Sequence, residues 1–383
     1  MKKNILIVID SLAMGGVTKV LANMLNTIDY SKYNIDLKIL HYYNDMRITL
    51  PKEVNIIKGT RFFNVVDRRI KDIIKQKDII NCVKKLYLVF LIKTGLIKNK
   101  IIKERKETLK KQYDIEISFN DGFGQVYVAY GDTNKRITWL HSDIRVKNYS
   151  KRYYKTLNKL MKNFDFGVSV SDEVGISYKE LYNLNCITIH NIIDYEEIIR
   201  KAKMQLDLPY DKNKFNIISV GRLDDQKNYI RLISAHKKLI DKGHDINTYI
   251  VGDGPNKDNL EKLIQDFDIQ KSFFLLGRKD NPYPFIQNAD LFALSSNHEG
   301  MPTVISEAII LKVPSISTKV AGVQKQLQDK YGMVTENDDN AFYEGLELLL
   351  SNKDIIEKYK DNLNRHNFSN KQNLEKIYSI LDE

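Results

Sequence analysis

The chain reads as an α/β protein made of two parallel-sheet domains, and three observations predict this. Short apolar runs alternate with helical stretches, the alternation restarts near the middle, and 383 residues exceed what one ordinary core organises. In the first half NILIVI (residues 4 to 9) reads as a buried strand, followed by the loop Asp10 to Gly16 and a helix from about Val17 to Asn26. The second half begins again with FNIISV (215 to 220). It continues through NTYIV (247 to 251), SFFLL (272 to 276), DLFALS (290 to 295) and PSIST (314 to 318), each separated by helical sequence. Two such sheets facing one another would enclose a cleft. The polar passage MQLDLPYDKNK (204 to 214) is the linker candidate, which sets the domains at 1–200 and 205–365. In 366–383, Leu374, Ile377, Tyr378 and Ile380 recur at helical spacing and predict a terminal helix.

Two cysteines, Cys82 and Cys186, make no disulfide framework, and no signal peptide precedes the first strand, so a cytoplasmic location is expected. The longest apolar stretch, LYLVFLIKTGLI (86 to 97), is interrupted by Lys93 and is shorter than the roughly 20 residues a spanning helix needs.

The net charge of +11 is concentrated. Residues 61–112 hold 16 Lys and Arg against 5 Asp and Glu, which accounts for the entire excess. The same segment carries Phe62, Phe63, Ile79, Ile80, Leu86, Tyr87 and Phe90. Positive charge combined with apolar faces is the make-up of a helix lying on an anionic membrane, so the protein is expected as a peripheral protein on the inner face of the cell membrane. Nucleic acid ranks lower as a partner and is not expected, because no binding motif accompanies the basic patch and its aromatics sit inside aliphatic runs.

The motif richest in chemistry is EGMPTVISEA, residues 299 to 308. Glu299 follows an apolar strand, Gly300 permits close backbone approach, and Pro302 suits the first helical turn. The helix that follows, through Met301, Thr303 and Val304, aims free amides at a diphosphate, and Glu307 is placed to accept hydrogen bonds from a ribose diol. Alone, two glutamates eight positions apart are a weak signal; the order strand, acid, glycine, proline and apolar helix is the pattern of a ligand loop at the carboxyl edge of a parallel sheet. After the strand at 215 to 220, GRLDDQKN supplies Gly221, Arg222 and Lys227, two fixed cations suited to a leaving diphosphate.

These residues resemble glycosyltransferase family 4, the retaining transferases of the GT-B fold, whose signature is the pair of glutamates seven residues apart. The resemblance implies two facing Rossmann-like domains with an interdomain cleft: an N-terminal acceptor-binding domain and a C-terminal nucleotide-sugar-binding domain. It also implies a terminal helix that crosses back to the first domain. It carries donor-side roles to Gly15 and Gly16 of MGGVTKV, and to Asp253, Gly254 and Arg278 in GDGP and LGRKDN. It gives His141, in ITWLHSDIR, a hydrogen-bonding role toward the sugar with Asp143 nearby, and Glu299 the task of orienting that sugar. The motif departs from the family pattern at HNIID, where Ile192 replaces a glycine, and at AGVQKQL, where Gln324 and Lys325 replace a Pro-Glu pair.

The function this implies is retaining transfer of a hexose or N-acetylhexosamine from a nucleoside-diphosphate sugar, UDP by family frequency, to a lipid-linked or glycan acceptor in bacterial surface-polysaccharide (capsule or exopolysaccharide) biosynthesis. No Asp-x-Asp motif stands at a strand end and no His/Cys cluster has metal-ligand spacing, so no metal and no cofactor is expected. The alternatives are a GT-B nucleotide-sugar epimerase and a non-catalytic membrane-associated scaffold that binds nucleotide.

Overall fold

The computed structural model describes residues 2–12, 15–42, 48–68, 70–146, 151–205 and 210–382, with backbone alone at 151–153. The described residues form two compact units, Met1–Ile192 with Asn373–Glu383, and Ile193–Gln372. Each is a parallel sheet covered by helices, a Rossmann-like domain.

The first sheet contains β1 (Lys3–Ser11), β2 (Tyr33–His41), β3 (Asn55–Lys58), β4 (Ile115–Ser118), β5 (Lys135–Leu140), β6 (Phe166–Ser169) and β7 (Cys186–Thr188), in the order β3-β2-β1-β4-β5-β6-β7. The second contains β8 (Phe215–Val220), β9 (Ile246–Val251), β10 (Phe273–Leu275), β11 (Leu291–Leu294), β12 (Ser315–Thr318) and β13 (Gly332–Thr335), in the order β10-β9-β8-β11-β12-β13. All the strand pairs are parallel, as in Ile5↔Ile35 and Ile217↔Thr248. Helices must therefore cover both faces, which is why β1 runs Ile5 to Ile9 without a polar break and buries every one of those side chains. In each sheet the chain lays two strands outward from the first and then returns to that strand's other side. The order thus reverses between β1 and β4, and again between β8 and β11. Loops at the carboxyl ends of strands flanking such a reversal diverge and leave a crevice.

The division between the units falls at Ile192–Ile193, ahead of the linker candidate at 204–214. The helix Tyr195–Ala202 lays Ile198 and Ala202 into the second unit's core, and the Tyr210 hydroxyl donates to the Phe285 carbonyl. Residues 206–209 of that passage lie outside the described residues. The last helix, Lys371–Asp382, packs on the first unit through Ile377, Ile380 and Leu381, and Lys3 donates to the carbonyls of Leu381 and Asp382.

The basic segment divides into two kinds of helix. Ile97–Thr108 is pinned to the sheet by buried charges: Lys38 of β2 donates to Glu104 at 2.7 Å and to Thr108 at 2.7 Å, the Tyr127 hydroxyl donates to Glu104 at 2.6 Å, and Arg105 grips Glu116 of β4 at 2.5 and 3.0 Å. Ile79–Thr94 behaves differently. It buries Leu88 and Leu91 but leaves Ile79 76% and Ile80 71% exposed, with Val83, Leu86, Tyr87 and Phe90 also at the surface. Among the described residues no helix is long and apolar enough to cross a membrane.

Candidate active site

In the second unit the strands on either side of the reversal supply the two loops that meet. Residues 221–228 leave β8, and residues 295–302 leave β11. Lys227 donates from Nζ to Glu299 Oε1 at 2.6 Å, and Ser296 donates to the same oxygen at 2.8 Å. Gln226 spans the junction, donating to the His298 carbonyl at 3.1 Å and to Glu299 Oε2 at 3.3 Å. The Asn297 amide donates to the Gln226 carbonyl, Ser295 to the Lys227 carbonyl and Asn228 to Asn297. Both members of the ion pair are largely shielded, the Lys227 side chain 15% and the Glu299 side chain 10% exposed. An ammonium has three protons, so Lys227 retains donors for a second anion while holding Glu299.

The surrounding loops close on this junction through backbone proximity. A Cβ at Gly252 would lie 1.8 Å from the Gly221 carbonyl oxygen, and one at Gly254 would lie 2.4 Å from that of Leu223. Only glycine lets the loops after β8 and β9 pack so closely, and the Leu223 amide donates to the Asp253 carbonyl across the contact. The Gly252 amide donates to the Gly277 carbonyl, which draws in the loop carrying Arg278. Arg222 projects from this assembly with its side chain 68% exposed, touching Asp224 at 3.7 Å. Arg278 is also exposed, 3.8 Å from Asp280.

The helix Thr303–Ile310 starts one residue after Pro302, which is its cap and offers no side-chain acceptor to the first-turn amides. Helices Asp172–Tyr182 and Asp339–Ser351, by contrast, are capped by Ser171 and Asp338. Glu307 is buried in this helix, at 3% exposure. Gly322, at φ 78, packs against Gly300 and Met301, so the glycine of AGVQKQL supports the 300–302 turn. Gln326 donates to the Pro302 carbonyl and to Ser306, while Gln324, at the position of the family's proline, turns onto Asp329.

In the first unit the equivalent crevice is held by Asp10. It stands at the end of β1 and accepts from the amides of Phe123 at 2.9 Å and Gly124 at 2.6 Å, while its own amide donates to Asn120. Burial pushes the Asp10 carboxyl above the usual carboxylate range, against the pull of those amides. At the neighbouring strand end His41 meets Asp67 at 2.5 Å. Burial would raise the Asp67 carboxyl, but hydrogen bonds from His41 and Ser11 outweigh it and hold it low. His141 follows β5, its amide donating to Asp121 at 3.2 Å and its ring packed on Phe119. Asp143 is not beside it as a free partner; Arg145 occupies its carboxylate at 2.6 to 3.1 Å. A Cβ at Gly15 would meet nothing within 4 Å, so packing does not require that glycine. Gly16 opens the helix Gly16–Thr27, and Met14 lies outside the described residues.

The structure thus brings Gly221, Lys227, Asp253, Gly254, Glu299, Gly300, Met301 and Pro302 into one loop cluster, with Thr303, Val304 and Glu307 in the helix behind it. Sequence reasoning passed over Gln226, Ser296 and Asn297, which lock the two loops, and Asp10, Asn120 and Asp121 in the first unit. Asp10 had a legible signal, an acid ending an apolar strand; the others are ordinary loop polar residues whose roles arise from pairing across the reversal.

Residues 201–368 match the family model described as glycosyl transferases group 1. The chain is 33% identical over 179 residues to a Campylobacter jejuni protein named N-acetylgalactosamine-N,N'-diacetylbacillosaminyl-diphospho-undecaprenol 4-alpha-N-acetylgalactosaminyltransferase, covering 46% of this chain and 47% of that one. It is 28% identical over 169 residues to the lipopolysaccharide core biosynthesis glycosyltransferase LpsE of Rhizobium meliloti, covering 44% and 48%. The chain spans about half the length of these curated relatives. The fold matches Anabaena HepE, solved in complex with UDP, over 100% of both chains at a TM-score of 0.70 and 15% identity. That likeness establishes the two-domain GT-B architecture. The segment that carries Lys227, Glu299 and Glu307 is the one that matches the group 1 glycosyl transferases.

Proposed function

We infer that the protein transfers a hexose or N-acetylhexosamine from a nucleoside-diphosphate sugar, with UDP as the first candidate, to a lipid-linked or cell-envelope glycan, with retention at the anomeric carbon. The observation that carries this reading is the Lys227–Glu299 pair at the β8/β11 reversal, a shielded cation and carboxylate side by side. A diphosphate needs the first and the hydroxyls of its sugar need the second. The uncapped helix start after Pro302 adds amides for the phosphates, and Glu307 behind it accepts from the ribose.

In the reaction, the bond between the anomeric carbon and the diphosphate oxygen breaks and the acceptor oxygen bonds to that carbon on the same face. The acceptor proton passes to the departing diphosphate, whose growing charge Lys227 and Arg222 stabilise. The protein contributes positioning and electrostatics. His141 and the loop of Gly15 and Gly16 serve the acceptor-binding unit. The names of the relatives, one of which includes a diphospho-undecaprenol, support a lipid-linked acceptor. So does the helix Ile79–Thr94, whose exposed apolar face within a lysine-rich segment fits an anionic bilayer on the inner side of the membrane.

Thermal unfolding with UDP, GDP, ADP and their sugars, with and without EDTA, tests the donor assignment. Ligand at a hundredfold over its Kd stabilises by about 2.7 kcal/mol, so one nucleotide family should raise Tm clearly and EDTA should leave the shift intact. Absence of any shift refutes the donor site and favours a scaffold that binds membrane alone. A shift accompanied by interconversion of the sugar without transfer favours an epimerase.

A further inference from the structure

The amino-terminal edge of the first sheet, opposite the strand ends that bear Asp10 and His141, holds a cavity of about 630 Å³ with an unusual charge balance. Lys98, Arg105, Lys106, Lys111 and Arg136 line it, against one carboxylate, Asp132, which is 83% exposed. Two of these cations are committed. Arg105 binds Glu116 and Asp132, and Lys111 reaches Asp36 at 3.0 Å. Lys98 and Lys106 have no acidic partner among the described residues, and Arg136 has only the field of Glu116, which Arg105 already grips. Arg136 is the most informative of them. Its Nε is buried and makes no hydrogen bond, although it is the second residue of β5 and its backbone amide is taken by Asp165. A buried guanidinium N–H without an acceptor is costly, and the cost is recovered when an anion supplies one.

We propose that this cavity is a binding site for a phosphate-bearing anion, separate from the donor site. Arg136 offers a planar fork suited to phosphate oxygens, and Lys98 and Lys106 close from the helix Ile97–Thr108 as point charges. The buried Lys38, Glu104, Arg105 and Glu116 contacts hold that helix in place, so the two lysines and Arg136 stay in fixed relation. Ile102 and Leu109 give the cavity apolar wall. The phosphate can belong to a phospholipid headgroup or to a soluble ion, and both present the same oxygens to these three cations.

Hydrogen-exchange mass spectrometry on the full chain locates the binding and separates the sources. Three additions are compared at constant ionic strength: sodium pyrophosphate, phosphatidylcholine vesicles containing phosphatidylglycerol, and phosphatidylcholine vesicles alone. Slower exchange in peptides covering 97–111 and 129–137 is expected with at least one phosphate-bearing anion. Protection by pyrophosphate assigns a soluble ligand; protection by the phosphatidylglycerol vesicles alone assigns a headgroup. The Lys98→Gln/Lys106→Gln variant changes only exposed side chains, leaving the fold intact, and should weaken binding by at least about tenfold, since charged contacts of this kind are worth a factor of ten or more each. Lys71→Gln/Lys75→Gln, outside the cavity, should bind as the parent does. The proposal is overturned if neither anion protects these peptides, if phosphatidylcholine alone protects them equally, or if the Lys98/Lys106 variant is protected as well as the parent.

Discussion

Lys227 and Glu299, 72 residues apart, join at 2.6 Å across the reversal of the second sheet, so an ion pair ties the loop after β8 to the loop after β11 alongside the hydrogen bonds of Gln226, Ser295 and Asn297. Neither side chain performs its part independently of the other. Lys227→Ala should lower kcat by about a hundredfold to a thousandfold, as loss of a preorganised charge at a leaving group does. Glu299→Ala should cost a similar factor, and the double variant should lose little more than the worse single one, because the two act as a unit. Steady-state transfer by the four proteins measures this coupling; multiplicative losses would show that the pair is incidental.

In the proposed donor site Glu307 serves recognition rather than bond breaking. Glu307→Gln keeps the volume of a buried side chain while removing its charge, and a charged hydrogen bond is worth about 1.5–3 kcal/mol, so nucleotide affinity should fall about tenfold to a hundredfold. Calorimetric titration with the nucleoside diphosphate reads this directly. An unchanged Kd would remove Glu307 from the ribose site.

His236 gives the second unit a defined acid sensitivity. It is buried, its ring nitrogens are shared with Thr248 and Ser272 at 2.9 Å each, and burial pushes its pKa down to about 3. The unfolded chain binds the proton at about pH 6.5, so stability is complete above that value and drains away as pH falls toward 3. Between pH 6.5 and 5 the loss from this group should be about 2 kcal/mol. Urea denaturation of the parent and of His236→Gln at pH 7 and pH 5 isolates it, since the variant should lack this part of the decline.

The buried pair Lys38–Glu104 is costly to break from one side. Lys38→Met leaves Glu104 unneutralised and should destabilise by about 3–5 kcal/mol, whereas Lys38→Met/Glu104→Leu should recover much of that loss. Chemical denaturation of both variants distinguishes a true pair from two independent packing residues.

The strands of the second sheet were readable because parallel strands buried on both faces are apolar runs, and FNIISV is β8 to the residue. Gly221, Lys227, Glu299 and Gly300 were readable because family motifs mark them. The polarity of 204–214 signals a surface loop, while the apolar side of Tyr195–Ala202 joins the second unit's core, so the division at Ile192–Ile193 lies ahead of the polar passage. The carboxylate of Asp143, close to His141 along the chain, is held by Arg145 two residues on, a pairing that the sequence does not mark. Gln226, Ser296 and Asn297 were invisible for a different reason: their partners lie about 70 residues away, and nothing local marks a hydrogen bond that only the β8/β11 adjacency creates.

The return of the last helix to the first unit makes one domain an insertion within the other. The second unit is a single uninterrupted stretch, Ile193–Gln372, and the first is closed by residues that follow it. The helix that meets Tyr33 and Lys3 of the first sheet therefore lies in the sequence beyond the whole of the second unit. The unit whose sequence starts first is thus the unit whose sequence is completed last, and cutting the chain after Gln372 would leave the second unit whole while stripping a helix from the first.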